Sequence, residues 1–210
     1  MMDTSLTVRG VAHDLNNQLM VLLNSLDRMI VLCPETADIQ NAMQAAERCT
    51  ELVAQLLPRT RASRELLVSV HKAVSESAAM VRALLPDCNQ LLVECHTDDK
   101  IKAESGALQQ VLVNLCLNAV DAMNGPGTIR ISARDDRDGV VISVSDTGPG
   151  VPPELRERIF EPLFTTNAAR GGNGLGLARV REIVTKLGGT VSVHDVFPRG
   201  ACFQVQLPSA

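Results

Sequence analysis

Aromatic side chains are nearly missing from the sequence: its 210 residues include four Phe, no Trp and no Tyr. Hydrophobic residues still make up 45%, so a core can form, but it must be aliphatic. Stacking of bases on aromatic platforms is excluded as a main mode of binding. A net charge of -4 argues against a phosphate-backbone binder, so no nucleic-acid partner is expected. Paired cysteine motifs are also absent. The Cys at 33, 49, 88, 95, 116 and 202 form no C-x-x-C, which removes the usual zinc and redox signatures. Most stand among apolar neighbours and read as reduced, buried thiols, in keeping with a reducing cytoplasm. No apolar run approaches the roughly 18 residues of a membrane span, and no signal-peptide pattern opens the chain. A cytoplasmic chain without direct membrane contact is the expectation. Internal repeats and low-complexity tracts are lacking as well.

What is present divides in two. Val8, Ala12, Leu15, Leu19, Leu22, Leu26 and Met29 recur at alternating four- and three-residue steps, a heptad seam on a long helix. Pro34 interrupts it, and Ile39, Met43, Ala46, Thr50, Val53 and Leu57 mark a second helix up to Pro58. Two helices joined by a short turn form a hairpin. One hairpin cannot bury both faces, so pairing with a second copy into a four-helix bundle, and hence a homodimer, is expected. Residues 1–61 are assigned to this hairpin and 62–210 to a second domain. There "ELLVSV", "LLVEC", "TIRISA", "VVISVSD", "TVSVHDV" and "CFQVQL" read as strands, and residues 103–123 and 174–188 as helices. Without a regular βαβ rhythm, the fold class is α+β, with an α/β sandwich following the helical bundle.

The first helix carries an oddity. With Ala12 and Leu15 on the seam, His13, Asp14 and Asn17 face outward, and His13 and Asn17 are direct neighbours one turn apart. A solvated helix face ordinarily uses Glu, Lys and Arg, whereas Asp and Asn are poor helix formers. A neutral imidazole is well populated near pH 7 and can act as a nucleophile; Asp14 can hold or deprotonate it, and Asn17 can orient a water.

Three stretches of the second domain belong together. In "NLCLNAVDAM", Asn114 and Asn118 lie four apart, and their amide oxygens suit a hard cation such as Mg²⁺ when phosphates and water supply its other ligands. In "SDTGPG", Asp146 ends a strand and Gly148 and Gly150 form the turn beyond. A carboxylate there can accept from the exocyclic amine of adenine, where guanine would present a carbonyl. In "GGNGLGLARV", Gly172, Gly174 and Gly176 lead into a helix whose N-terminus can receive phosphate. The loop does not follow a strand of a βαβ unit, so a Rossmann reading fails.

In this order and spacing, over nearly all 210 residues, the chain resembles the cytoplasmic core of bacterial sensor histidine kinases of the nitrogen-regulation type. "HDLNNQL" looks like the phospho-acceptor box and "NLCLNAVDAM" like the asparagine box. "DTGPGVP", "IFEPLFTT" and "GGNGLGL" look like the first glycine, phenylalanine and second glycine boxes. The second domain is similar to the gyrase, heat-shock chaperone and mismatch-repair ATPases. The resemblance implies ATP bound through Asn114, Asn118, Asp146, Gly148, Gly150, Thr165, Thr166, Gly172, Gly174, Leu175 and Gly176, with Mg²⁺ on Asn118. It implies a mobile lid between Phe160 and Gly174 and transfer of the γ-phosphate to His13, with Asp14 as base. A response-regulator receiver domain would then take the phosphate onto an Asp, and Asn17 would support its dephosphorylation.

The chain departs from the family pattern in three places. Asp14 stands where many relatives have Glu. Asn167 follows the two lid threonines where many have Lys, with Arg170 a nearby cation. Asn114 occupies the place of the catalytic Glu of the superfamily's ATPases, which argues against attack by water on ATP. The alternatives are a non-kinase phosphotransfer protein with a decayed nucleotide fold, and a structural or chaperone-like ATPase. The intact Asn118, Asp146 and glycines count against the first. The His13 cluster and the missing Glu count against the second.

Overall fold

In the computed structural model, the described residues are 66–165, 174 and 176–210; Thr165 apart, they form one unit of the chain. The expected helical hairpin and its dimeric bundle lie outside them. The order of elements is β1 (Leu66–Ser69), α1 (Val70–Leu84), β2 (Asn89–His96), β3 (Lys100–Ala103), α2 (Ala107–Met123), β4 (Gly127–Asp136), β5 (Gly139–Asp146), two short 3-10 turns (Pro153–Leu155 and Arg158–Phe160), α3 (Gly176–Lys186), β6 (Thr190–Asp195) and β7 (Ala201–Leu207).

Five strands form one sheet in the order β2-β4-β5-β7-β6. The β2–β4 pair is parallel and the others are antiparallel. Alternation decides which face is buried. Ile129, Ile131 and Ala133 of β4, Val140, Ile142 and Val144 of β5, and Phe203, Val205 and Leu207 of β7 all turn into the core. The opposite face is polar: Arg130 and Ser132 of β4 stand in register with Ser145 and Ser143 of β5, and these with Cys202 and Gln204 of β7. With one face apolar and one wet, the sheet is covered by helices on one side only, as an α+β sandwich requires. α1 packs on α2 and α2 on α3, and α2 also lies against β4 and β5. β1 and β3 make a separate antiparallel pair, with Val68 opposite Ile101.

The sandwich agrees with expectation, but two elements are additions to it. The sequence pattern carried the first strand through Val70, whereas Ser69 caps a helix there, its Oγ accepting from Lys72 N–H at 3.3 Å. The buried stripe of α1 is Val70, Ala73, Val74, Ser77, Ala78 and Val81. Small residues and a buried Ser, its hydroxyl donating to the Ala73 carbonyl at 2.7 Å, mute its apolar signal. His71 consequently lies in the first turn of this helix, exposed, just beyond β1. The second addition is β3, only four residues long, whose last residue, Ala103, was expected to open the following helix. Gly106 in the left-handed region (φ 85°) delays that helix to Ala107. Among the described cysteines Cys116 is buried, Cys95 and Cys202 are half-buried, and Cys88 is exposed, so burial of thiols is not general.

Candidate functional site

The inward column of β5 runs Val140, Ile142, Val144 and then Asp146, a carboxylate where the pattern calls for an apolar residue. Register sets Asp146 opposite Ile129, and only 3% of its surface is exposed. Burial strips water from the ionised form and pushes the carboxyl above its ordinary pKa; the backbone N–H groups of Gly148 and Ala201 pull the other way. Both N–H groups donate to Oδ1, at 2.7 Å from Gly148 and 3.4 Å from Ala201. Among the described residues Oδ1 thus takes both bonds, and Oδ2 is the oxygen left to accept from a ligand.

Two glycines make this arrangement possible. A Cβ on Gly148 would lie 2.8 Å from Asp146 Oδ1 and 3.5 Å from both N and Cγ of Met123. At Gly200, with φ +137°, a Cβ would run into the carbonyl oxygen of Asp146. The bareness of Gly200 lets the start of β7 press against the end of β5. Thr147 secures the same corner: its hydroxyl accepts from Thr128 N–H at 3.0 Å and meets Met123 Sδ at 3.6 Å.

Met123 is the last residue of α2, so the carboxylate sits beside the C-terminal end of that helix. From Leu108 to Ala119 every α2 residue is buried except Gln110, Asn114 and Asn118. Their four-residue spacing puts all three on one stripe. A helix otherwise buried all round thus opens one polar strip leading away from Asp146. Asn118 offers an amide oxygen to a cation. Among the described residues no group of three or more His, Cys, Asp and Glu could hold a metal. That donor set fits Mg²⁺ carried with phosphates and water.

Gly150 has φ +81° in the turn after Asp146, and Gly174 has φ +67° with its carbonyl accepting from Leu163 N–H at 3.1 Å. Gly176 begins α3 and Thr165 is half-buried. Thr166, Asn167, Arg170, Gly172 and Leu175 lie outside the described residues, as do His13, Asp14 and Asn17. The segment after Gly150 is well moored. Phe160 meets Phe203 edge-on with ring centroids 6.3 Å apart. Arg181 lies 4.9 Å over the Phe160 ring and pairs with Glu157 at 3.0 Å, and Arg156 pairs with Asp195 at 2.6 Å.

Sequence reasoning missed Gly200, Ala201, Thr147 and Gln110. A glycine after Pro-Arg between two strand patterns was the one available signal for the first, and its contact with Asp146 spans too much chain to be read locally.

A nearly dry carboxylate at a strand end, two glycines without room for a methyl, and a polar strip on a buried helix define a nucleotide-binding α/β sandwich. Residues 103–210 match the model of the histidine kinase-, DNA gyrase B-, and HSP90-like ATPase family. The chain belongs to that family and carries the catalytic core found in bacterial sensor histidine kinases. It is 33% identical to the sensor kinase CckA of Brucella abortus, over 95% of this chain and 23% of the relative. It is likewise 33% identical to the sensor histidine kinase ZraS of Salmonella typhimurium, over 95% of this chain and 44% of the relative. The structure of full-length ShkA in complex with AMPPNP is similar with a TM-score of 0.61 and 26% identity, covering 97% of this chain and 46% of that one. The chain therefore spans less than half the length of these relatives. Among the described residues no helix is long and apolar enough to cross a membrane.

Proposed function

We propose that the chain is the working core of an ATP-dependent protein-histidine kinase that autophosphorylates on His13 and passes the phosphoryl group to an Asp of a response-regulator receiver domain. The observation that carries the reading is Asp146, a buried acceptor with one oxygen held by the backbone and the other left for the adenine amine. Asn118 would hold Mg²⁺, which when bound offsets the charge of the phosphates. The helix N-terminus at Gly176 and the glycines before it would receive the triphosphate, with Thr165, Thr166, Gly172 and Leu175 in the lid.

In the transfer step the bond from the γ-phosphorus to the ADP oxygen breaks and a phosphorus–nitrogen bond forms on the His13 imidazole. Asp14 takes the ring proton, and ADP leaves. Asn17, one turn along, orients the water that removes phosphate from the receiver. Residues 1–61 supply the dimer through a four-helix bundle, and 62–210 supply ATP. Asn114 in place of a carboxylate disfavours activation of water, so phosphate goes to the histidine rather than to solvent.

The test is incubation of the purified chain with γ-labelled ATP and Mg²⁺. An acid-labile, base-stable label is expected, lost in His13→Gln while that variant still binds ATP. Label retained in His13→Gln would sink the assignment of the acceptor.

A further inference from the structure

The polar strip of α2 has a polarity that assigns a role to a residue of α3. The C-terminal end of α2, Met123, lies against Thr147 and Gly148 of the turn after Asp146, where the base would sit. Asn118 lies five residues back, Asn114 nine, and Gln110 thirteen, about 20 Å along the helix axis at 1.5 Å per residue. The order from base to metal to terminal phosphate thus runs towards Gln110. In the amide orientation that satisfies both groups, Gln110 Oε1 accepts from Arg179 Nε at 2.8 Å and from Arg179 Nη2 at 3.3 Å. Arg179 stands three residues after Gly176, where α3 begins, and its side chain is exposed. A guanidinium has five N–H donors in a fixed fork; Gln110 takes two, which leaves three and the whole positive charge. The neighbouring carboxylate Glu182 takes its hydrogen bond from Lys186 at 2.6 Å and feels the Arg179 charge only at longer range.

We propose that Arg179, held in place by Gln110, is the cation that meets the terminal phosphate of the bound nucleotide. This rests on the reading of the site as an ATP site and adds to it the group that distinguishes ATP from ADP. A carboxamide suits the holding role because it fixes the fork through two hydrogen bonds without cancelling its charge. A carboxylate at the same place would hold the fork and neutralise it.

The experiment is calorimetric titration of the whole chain with Mg·ATP and Mg·ADP, alongside urea unfolding. In Arg179→Ala, ATP affinity should fall by about tenfold or more, the scale of a lost charge-assisted contact, while ADP affinity stays within about twofold. Gln110→Glu should lose ATP-over-ADP discrimination in the same direction, yet be as stable as the unaltered chain or more so, since its grip on Arg179 becomes an ion pair. If Arg179 is only a clasp between helices, Arg179→Ala will lower stability and leave the ATP/ADP ratio unchanged, which overturns the proposal. Equal losses of both nucleotides in Arg179→Ala, or unchanged discrimination in Gln110→Glu, would overturn it too. Failure of the unaltered chain to bind either nucleotide would remove the ATP reading and this inference together.

Discussion

Replacing Asp146 by Asn changes a single atom of the side chain and should invert the base preference of the site. The two backbone donors, Gly148 N–H and Ala201 N–H, both go to Oδ1. An Asn keeps an oxygen there to receive them, and its NH₂ then takes the place of Oδ2. An adenine amine would now face a donor instead of an acceptor. The loss is that of a hydrogen bond to a charged group, about 1.5–3 kcal/mol, or roughly 10- to 150-fold in Kd, and the opposed donors make this a lower bound. Hypoxanthine carries a carbonyl oxygen where adenine carries the amine, so inosine triphosphate should bind the variant better than the unaltered chain. Competition of ATP and inosine triphosphate against a fluorescent nucleotide measures both. The unliganded fold should survive, because neither backbone hydrogen bond is removed. An ATP loss below about threefold, or an unchanged ratio of the two nucleotides, would show that Asp146 does not read the base.

The same carboxyl predicts a pH effect. Its folded pKa is raised by burial, so its contribution to stability is present below the ordinary carboxylate range and is lost as pH rises through the folded value; urea unfolding across that window should show a falling slope that Asp146→Asn lacks. Gly200→Ala would set a methyl against the Asp146 carbonyl at φ +137°, and overpacking of this kind costs about 1–3 kcal/mol, seen as a lower urea midpoint together with weaker ATP binding. Among the described cysteines, Cys88 is exposed whereas burial pushes the Cys116 thiol up to about 12; alkylation followed by mass spectrometry should label Cys88 first and Cys116 last.

The fold was legible where its signals were strong and local. Strands such as Asn89–His96 and Ala201–Leu207 alternate residue by residue between the two faces, and α2 is too apolar and long to mistake. The first helix of the domain escaped because its buried stripe is made of Ala, Val and Ser, whose contrast with the exposed face is slight. The four-residue β3 is too short for periodicity to mark; its pairing with β1 across more than 30 residues of chain creates it.

The candidate site was legible for a related reason, seen from the other side. A polar residue is informative where the surrounding pattern demands an apolar one, because burying it without a partner is costly. Asp146 breaks the column Val140, Ile142, Val144, and Asn114 and Asn118 interrupt the buried length of α2. Such breaks are found by reading a single element. Invisible at that level is any group whose meaning comes from a second element. Gly200 matters only because β7 begins against the end of β5, and Arg179 only because α3 lies beside the Gln110 turn of α2. In isolation the first is a hairpin glycine and the second an exposed arginine on a surface helix. The sequence therefore names the groups that would touch the base and the metal, while those that would aim the carboxylate and grip the last phosphate emerge only once the strands and helices are packed.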